Sequence, residues 1–335
     1  MHDKTETYPK SEVPIPIVPE DISKRFHVSG IVDTRFAGCA RLLQSVWRER
    51  HGFEMGRHKP KGGKSRKLGS LLDPAVARTG VNFLAPDIAK LVRREVAYRE
   101  IGALIDERRL WANLLSSQTL TFNLLARAKL DLGLASRLFR QLLPDLMETV
   151  DEITFEHSPG RGDPNYLGDY TAFDAFVTGR GANGEPTFVA IEVKYSESMR
   201  QPGRSEKERY RELTRAFALH IDPEAPSLLA EPLAQLTAEH VLAAVIRHRM
   251  GPEARGAFLT IAPALNRDAW NALDLYRTTL TYEPKGVAFV PATLEAVIAA
   301  IRAAGDEASA NRLTERYTDF GPVHALIEEW EPFAE

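Results

Sequence analysis

The chain has 335 residues, 44% of them hydrophobic, and a formal net charge of −3 at pH 7, which suits a globular protein of one large or two modest domains. No apolar run approaches the ~18 residues of a membrane span, and the polar N-terminus does not resemble a secretory signal, so we expect a cytoplasmic protein. The single cysteine, Cys39, excludes an intrachain disulfide and a cysteine-based zinc cluster.

Residues 1–30 are predicted to form an extended arm, because several prolines in a polar context cannot continue a helix. An amphipathic helix is predicted to follow from Asp33 to near Gly52, with apolar residues at helical spacing. We assign residues 31–80 to a helical extension and residues 81–335 to the main domain.

The strongest basic run of the chain lies between positions 57 and 67, on a Gly-rich stretch that is predicted to be a flexible loop. Such a loop can follow a phosphate backbone without reading bases, although a solvated loop explains it nearly as well. Because the net charge is negative, any nucleic-acid footprint must be local. The candidate contacts are Arg57, Lys59, Lys61, Lys64, Arg66 and Lys67.

Two helical segments come next and carry polar side chains of interest. A charged helix is predicted over residues 87–108, and there a surface ion pair with a nearby Arg is the simplest role for Glu100. In the segment Leu110–Leu130, Gln118 falls on the apolar stripe, which predicts a buried amide. Its amide must therefore bond to core backbone or to groups of an active site.

A predicted β-hairpin, with strands Thr171–Thr178 and Thr187–Tyr195, is the central feature of the sequence. Side chains alternate along a strand, so Glu192 and Lys194 point to the same side of the second strand. Asp174 interrupts an apolar run in the first strand, where a charge is costly unless something pairs with it. The hairpin therefore brings two acids and a lysine together.

This set of side chains suits a hard divalent cation. Mg²⁺ prefers oxygen ligands and commonly takes one or two protein carboxylates, which Asp174 and Glu192 would supply, and Mn²⁺ is an expected substitute. Lys194 would orient a water molecule and neutralise developing charge. The implied reaction is phosphodiester hydrolysis. Glu-x-Lys alone would indicate only the solvated face of an edge strand, but the Asp on the preceding strand favours a site.

An Asp followed, after a hairpin, by Glu-x-Lys resembles the PD-(D/E)XK nuclease superfamily, which has the restriction-endonuclease-like fold. The matching residues are Asp174, Glu192 and Lys194, and Phe173 stands where the name of the motif has Pro. The run Ser-Ser-Gln-x-Leu-x-Phe-Asn beginning at Ser116 is similar to a helix of a bacterial branch of these nucleases.

The resemblance implies an α/β fold with a mixed β-sheet core flanked by helices, and the order of predicted strands and helices agrees with it. It also implies that the backbone carbonyl of Val193 is a further metal ligand and that Glu100 is a candidate contributor from the first core helix. Gln118, Asn123 and Gln235 are candidates to support the ligands or contact phosphate, and core hydrogen bonding explains each of them nearly as well.

The function predicted from these features is a metal-dependent DNA endonuclease of restriction or defence type. One alternative is a catalytically silent nucleic-acid-binding or scaffold protein on the same fold. The other is a repair nuclease that acts on ends or branched structures. The sequence does not distinguish DNA from RNA or endonuclease from exonuclease. Double-strand cleavage usually needs two active sites, which makes a homodimer compatible with the function although no residue demonstrates it.

Overall fold

The computed structural model describes residues 15–59, 62–197, 199, 208–281 and 287–331. Within these residues a five-stranded sheet has the strand order β3-β4-β5-β6-β7, and β1 and β2 form a separate two-stranded sheet. The strands are β1 (Met55–His58), β2 (Arg66–Leu72), β3 (Thr149–His157), β4 (Phe173–Arg180), β5 (Pro186–Val193), β6 (Arg255–Ala262) and β7 (Val287–Thr293).

Helices surround the five-stranded sheet on both faces. In the described residues, none of them is long and apolar enough to cross a membrane. A 3₁₀ turn (Pro226–Leu229) and a π turn (Thr314–Thr318) accompany the α-helices. The α-helices are α1 (Glu20–Arg25), α2 (Arg35–Arg50), α3 (Pro74–Thr79), α4 (Pro86–Ala97), α5 (Glu107–Ala112), α6 (Ser117–Leu130), α7 (Leu132–Leu142), α8 (Glu208–Phe217), α9 (Ala234–Met250), α10 (Arg267–Thr279), α11 (Leu294–Ala303), α12 (Glu307–Leu313) and α13 (Gly321–Glu328).

The five-stranded sheet is mixed. Strands β3, β4 and β5 form an antiparallel meander, whereas β6 lies parallel to β5 and β7 lies parallel to β6. Parallel neighbours need a crossover connection, and α9 and α10 lie in the two crossovers. The predicted fold class, a restriction-endonuclease-like mixed sheet flanked by helices, is confirmed.

The two faces of the sheet bury different sets of helices. Val189, Ile191 and Val193 of β5 face one hydrophobic cluster, which contains residues of α2, α4, α6, α7 and α11. Ala190 faces the other cluster, which contains residues of α8, α9 and α10. The alternation predicted for the second hairpin strand is therefore present. Glu192 and Lys194 lie on the same side as Ala190 and point toward α9 at the end of the strand.

The N-terminal segment differs from the predicted extended arm, since α1 lies within it. Pro19 immediately precedes the first turn of α1, where a missing N–H costs nothing, so the prolines come before a helix and do not interrupt one. Ile22 and Phe26 are buried, and they anchor the segment in the first cluster. Residues 1–14 of the predicted arm lie outside the described residues.

The two ends of the basic stretch lie in paired strands, β1 and β2, whereas the described residues between them, 59 and 62–65, lie in neither strand. Strands β1 and β2 pair antiparallel, with Arg57 opposite Lys67. Arg57 donates to the carbonyl of Ser65 at 2.9 Å, and Arg66 donates to the carbonyl of Gly30 at 2.8 Å. Both guanidinium groups are therefore held by backbone carbonyls. Lys61 lies outside the described residues, and the nucleic-acid role of the basic stretch stays a prediction.

The helix predicted over residues 87–108 is interrupted, because α4 ends at Ala97 and α5 begins at Glu107. Gly102, between them, has φ +85°, a left-handed conformation that a continuous helix does not tolerate. A second break separates α5 from α6, where the hydroxyl of Ser116 accepts a hydrogen bond from the backbone N–H of Thr119 and caps the new helix.

Candidate active site

Three carboxylates lie side by side across three neighbouring strands. The register of β3 and β4 places Glu156 opposite Asp174, and the register of β4 and β5 places Asp174 opposite Glu192. Cross-strand neighbours have Cβ atoms about 4.5–5.5 Å apart, so these acids are close enough to repel one another. A row of like charges of this kind is costly unless protons or cations offset it.

The pKa values of the row reflect this crowding. Burial, followed by the charges of Glu192 and Glu156, raises the pKa of Asp174 well above its ordinary value. Burial also raises the pKa of Glu156 to about 7, and the charge of Glu192 acts in the same direction. Perturbed carboxylates beside a buried lysine are typical of functional sites.

Lys194 supplies the positive charge of the site. Its Nζ lies 2.6 Å from Oε1 of Glu192 and donates to Oε1 of Gln235 at 2.9 Å. Burial opposes the charged form, but the surrounding carboxylates, Glu192 foremost, raise the pKa of Lys194 above its ordinary value. An ammonium group has three N–H bonds, so these two partners leave one N–H for a substrate or a water molecule.

Gln235, near the start of α9, connects the charged groups. Its Nε2 donates to Oε1 of Glu192 and to Oε1 of Glu239, both at 2.7 Å, while its Oε1 accepts from Lys194. Glu239 lies one turn further along α9, on the same face of the helix. One amide therefore fixes the orientation of a carboxylate and an ammonium group that both point from β5 toward α9.

We expect Gln235→Leu to lower kcat for metal-dependent cleavage about 10- to 100-fold with a smaller change in KM, because a misplaced Glu192 and Lys194 impair chemistry more than binding. Steady-state cleavage of a labelled substrate measures both constants. Gln141→Leu, an exposed glutamine on α7, is the matched control and should retain wild-type kinetics. Equal kinetics in the two variants would contradict a positioning role for Gln235.

Asp174 is tied to the neighbouring strand by its own hydrogen bond. Its Oδ2 accepts from the backbone N–H of Val193 at 2.8 Å, which holds the carboxylate beside the end of β5. Asp174, Glu192 and Lys194, which the sequence singled out together, are therefore adjacent in the structure.

Glu156 is the acidic neighbour that the sequence did not reveal. Gln118 donates to its Oε1 at 2.5 Å and to the carbonyl of Leu104 at 3.2 Å, so Gln118 contacts the carboxylate row although it is half-buried and not fully buried as predicted. Glu156 has φ +50°, a conformation that non-glycine residues rarely adopt and that tends to occur at functional positions. No local sequence pattern marks that conformation.

Glu100 has a different set of partners from those of the carboxylate row. It lies on the connection after α4, where His157 is 2.5 Å from its Oε1 and Arg161 is 3.4 Å from its Oε2. Burial alone would raise the pKa of Glu100, but the hydrogen bond and charge of His157 lead a set of interactions that lower it. These contacts include an ion pair with an arginine, which the sequence analysis gave as the simplest role of Glu100.

Asn123 is part of the core. Its Oδ1 accepts from the backbone N–H of Leu84 at 3.0 Å, and its Nδ2 donates to the hydroxyl of Tyr317 at 2.9 Å and to the carbonyl of Asn82 at 3.3 Å. Core hydrogen bonding therefore accounts for this amide. Of the three amides singled out in the sequence, the structure brings Gln118 and Gln235 to the carboxylates and gives Asn123 these other partners.

The donor set fits a hard divalent cation. In the part of the chain that the structure describes, no group of three or more His, Cys, Asp or Glu side chains is already arranged to hold a metal ion. Mg²⁺ needs fewer protein ligands than that, because it keeps several waters and commonly binds one or two carboxylates. The crowded carboxylates of Asp174 and Glu192 meet this need, and a cation between them would offset the repulsion that raises the pKa of Asp174. The carbonyl of Val193 stays a predicted further ligand.

Comparison with known protein families identifies the family of most of the chain. A family model described as the PD-(D/E)XK nuclease superfamily matches residues 31–319, which include the helical extension and every strand of the mixed sheet. The searches of curated proteins and of solved structures found no significant match.

Proposed function

The chain belongs to the PD-(D/E)XK nuclease superfamily, and on that premise we propose that it is a divalent-metal-dependent DNA endonuclease of restriction or defence type. The observation that carries this proposal is the convergence of Asp174 and Glu192 with the ammonium group of Lys194 at one end of the hairpin. Nuclease-type chemistry follows from the family. The choice of DNA, of internal cleavage and of Mg²⁺ is our proposal.

Each side chain of the site has a distinct task. Asp174, Glu192 and the carbonyl of Val193 would hold a divalent cation, which would supply positive charge to the phosphate oxygens. Lys194 uses its remaining N–H to orient the attacking water molecule and to stabilise the charge that develops on the phosphate. Gln235 holds Glu192 and Lys194 at their observed separation.

Cleavage of a supercoiled plasmid tests the proposed function. We expect nicked and linear products with Mg²⁺ or Mn²⁺ and none with EDTA, because the carboxylates need a cation to engage a phosphate. Discrete bands would indicate sequence specificity, and a smear would indicate its absence. Equal cleavage in EDTA, or no cleavage of any DNA or RNA substrate with either metal, would contradict the proposal.

A catalytically silent nucleic-acid-binding protein on the same fold is the second candidate. One observation favours it: Glu192 and Lys194 are only 5% and 7% exposed, and they bond to each other. Such a protein would bind nucleic acid equally well with Mg²⁺ and with EDTA, and Asp174→Ala would leave that binding unchanged. A nuclease differs from such a protein because Asp174→Ala would abolish its metal-dependent cleavage.

A further inference from the structure

A pocket opens beside Lys194 at the C-terminal end of β5. Its volume is about 360 Å³, and its walls come from α2, α5 and the turn after β5. The helical extension therefore builds part of the wall next to the lysine. The polar lining residues include Thr34, Arg41, Arg109, Asn113, Lys194 and Glu197.

The size of this pocket restricts what can reach the lysine. A volume of 360 Å³ is at the lower end of the about 300–1,000 Å³ of small-molecule pockets, which is enough for one nucleotide. Glu192 and Lys194 are only 5% and 7% exposed, and a volume of 360 Å³ has room for one nucleotide but not for its base-paired partner as well. A single strand is narrow enough to place a phosphate at the lysine.

The charges in the pocket single out one arginine. The guanidinium group of Arg41 makes two hydrogen bonds to Asp33, at 2.7 and 2.8 Å, and a third to the hydroxyl of Ser70 at 3.0 Å, so its charge is already balanced. The side chain of Arg109 is 54% exposed, and Glu197 lies 3.8 Å from it, at the outer limit of an ion pair. Arg109 therefore keeps donors for a phosphate, which guanidinium groups bind in a bidentate manner.

We propose that this pocket receives one nucleotide of an unpaired strand next to the scissile phosphate, with Arg109 on the phosphate of that nucleotide. The proposal rests on the proposed nuclease function and names its substrate class. The preferred substrates are single strands, flaps, frayed ends and locally opened duplex. A supercoiled plasmid supplies such openings, whereas a short relaxed duplex does not.

Binding in EDTA tests the pocket without chemistry. The probe is a fluorescein-labelled single-stranded DNA of about 20 nucleotides, measured by anisotropy against the same strand in a full duplex. We expect the single strand to bind more tightly than the duplex. Arg109→Ala should weaken binding of the single strand at least about tenfold, because it removes a charge-assisted hydrogen bond. The slope of log K against log salt should fall by about 0.7, the value for one phosphate contact on a single strand.

The matched control is Arg108→Ala. Arg108 is the exposed neighbour on α5, does not line the pocket and donates to the carbonyl of Arg57 at 3.1 Å. It should bind the single strand like wild type, and Arg109→Lys should restore part of the binding. Equal losses in both alanine variants, or a duplex bound as tightly as the single strand, would overturn the proposal.

Cleavage separates this proposal from the proposed function. Binding of single strands through Arg109 without cleavage of any substrate would refute the nuclease and retain the pocket. Metal-dependent cleavage of a relaxed duplex as fast as of a single strand would retain the nuclease and refute the pocket. No binding of any nucleic acid in EDTA, with cleavage unaffected by Arg109→Ala, would also refute the pocket.

Discussion

Asp174→Asn should reduce metal-dependent cleavage by about 10²- to 10³-fold while the folded protein stays intact. The amide has nearly the same size as the carboxylate, and its oxygen can still accept the hydrogen bond from Val193. What the substitution removes is one negative charge from the row formed with Glu156 and Glu192. The loss of activity would therefore report the charge and not the shape of the side chain.

The same substitution should leave the stability of the protein unchanged or raise it. The pKa of Asp174 is raised in the folded state, so ionisation of this group disfavours folding, and the penalty is present at pH values above its ordinary pKa. An uncharged amide avoids that penalty. We therefore expect the thermal midpoint near pH 7 to stay equal or rise, the opposite direction from cleavage.

The assay compares initial cleavage rates in Mg²⁺ with the thermal midpoint of each variant. Asp151→Asn is the matched control, since Asp151 is an exposed carboxylate on β3 that pairs with Arg180 at 3.3 Å. It should cleave like wild type. Wild-type cleavage by Asp174→Asn would show that the carboxylate is not a metal ligand, and a lowered midpoint would show that its charge supports folding.

Lys194→Ala should also abolish cleavage, but its effect on folding is different. Removing the ammonium group leaves Glu192, whose side chain is 6% exposed, without its cation at 2.6 Å. Breaking a buried ion pair on one side commonly costs about 3–5 kcal/mol, so this variant should lose stability together with activity. The contrast with Asp174→Asn separates catalytic loss from unfolding.

The sequence predicted which side chains of the candidate site are neighbours where local geometry decides it. Alternation along β5 places Glu192 and Lys194 on one face, and the hairpin connection brings Asp174 beside them. Glu156 escaped prediction because its position depends on how β3 pairs with β4, and that ladder shifts register between Val150 and Glu152. The register of β3 and the positive φ of Glu156 depend on the whole sheet, so the sequence of one strand does not predict them.

The same distinction between local and long-range contacts explains which parts of the fold were predicted. The long periodic segment of α2 was predicted nearly to its ends, because its apolar spacing is a local property. The pairing of β1 with β2 at the two ends of the basic stretch was not predicted, since glycines and charges of this kind are typical of a loop and strand pairing depends on contacts with the rest of the chain. Gln44 and Arg316 contact each other across a separation of 272 residues, which no local pattern predicts.

Arg316→Ala should lower the free energy of unfolding by about 2–5 kcal/mol, although Arg316 lies outside the carboxylate row. Arg316 is fully buried, and within the described residues no carboxylate pairs with it. Its guanidinium group donates to the carbonyl of Asn82 at 2.5 Å and to Gln44 at 3.3 Å, and it lies 4.4 Å from the ring of Trp47. Alanine would leave a cavity and unpaired acceptors.

Urea unfolding with Arg312→Ala as the control measures this loss. Arg312 is an exposed arginine on α12 that donates to the carbonyl of Leu84 at 2.9 Å, so its removal costs one surface hydrogen bond. The urea midpoint of Arg312→Ala should therefore stay close to that of the wild type. A similar midpoint for Arg316→Ala would contradict the structural role assigned to the buried guanidinium group.

The number of urea unfolding transitions also tests the domain assignment. Gln44 of α2 donates to the carbonyl of Arg316 at 2.6 Å and to the hydroxyl of Tyr195, one residue after Lys194, at 3.3 Å. The helical extension, the π turn and the end of β5 thus share one buried network, so we expect a single cooperative transition that Arg316→Ala shifts as a whole. Two transitions, of which Arg316→Ala moves only one, would instead show that residues 31–80 unfold independently of the mixed sheet.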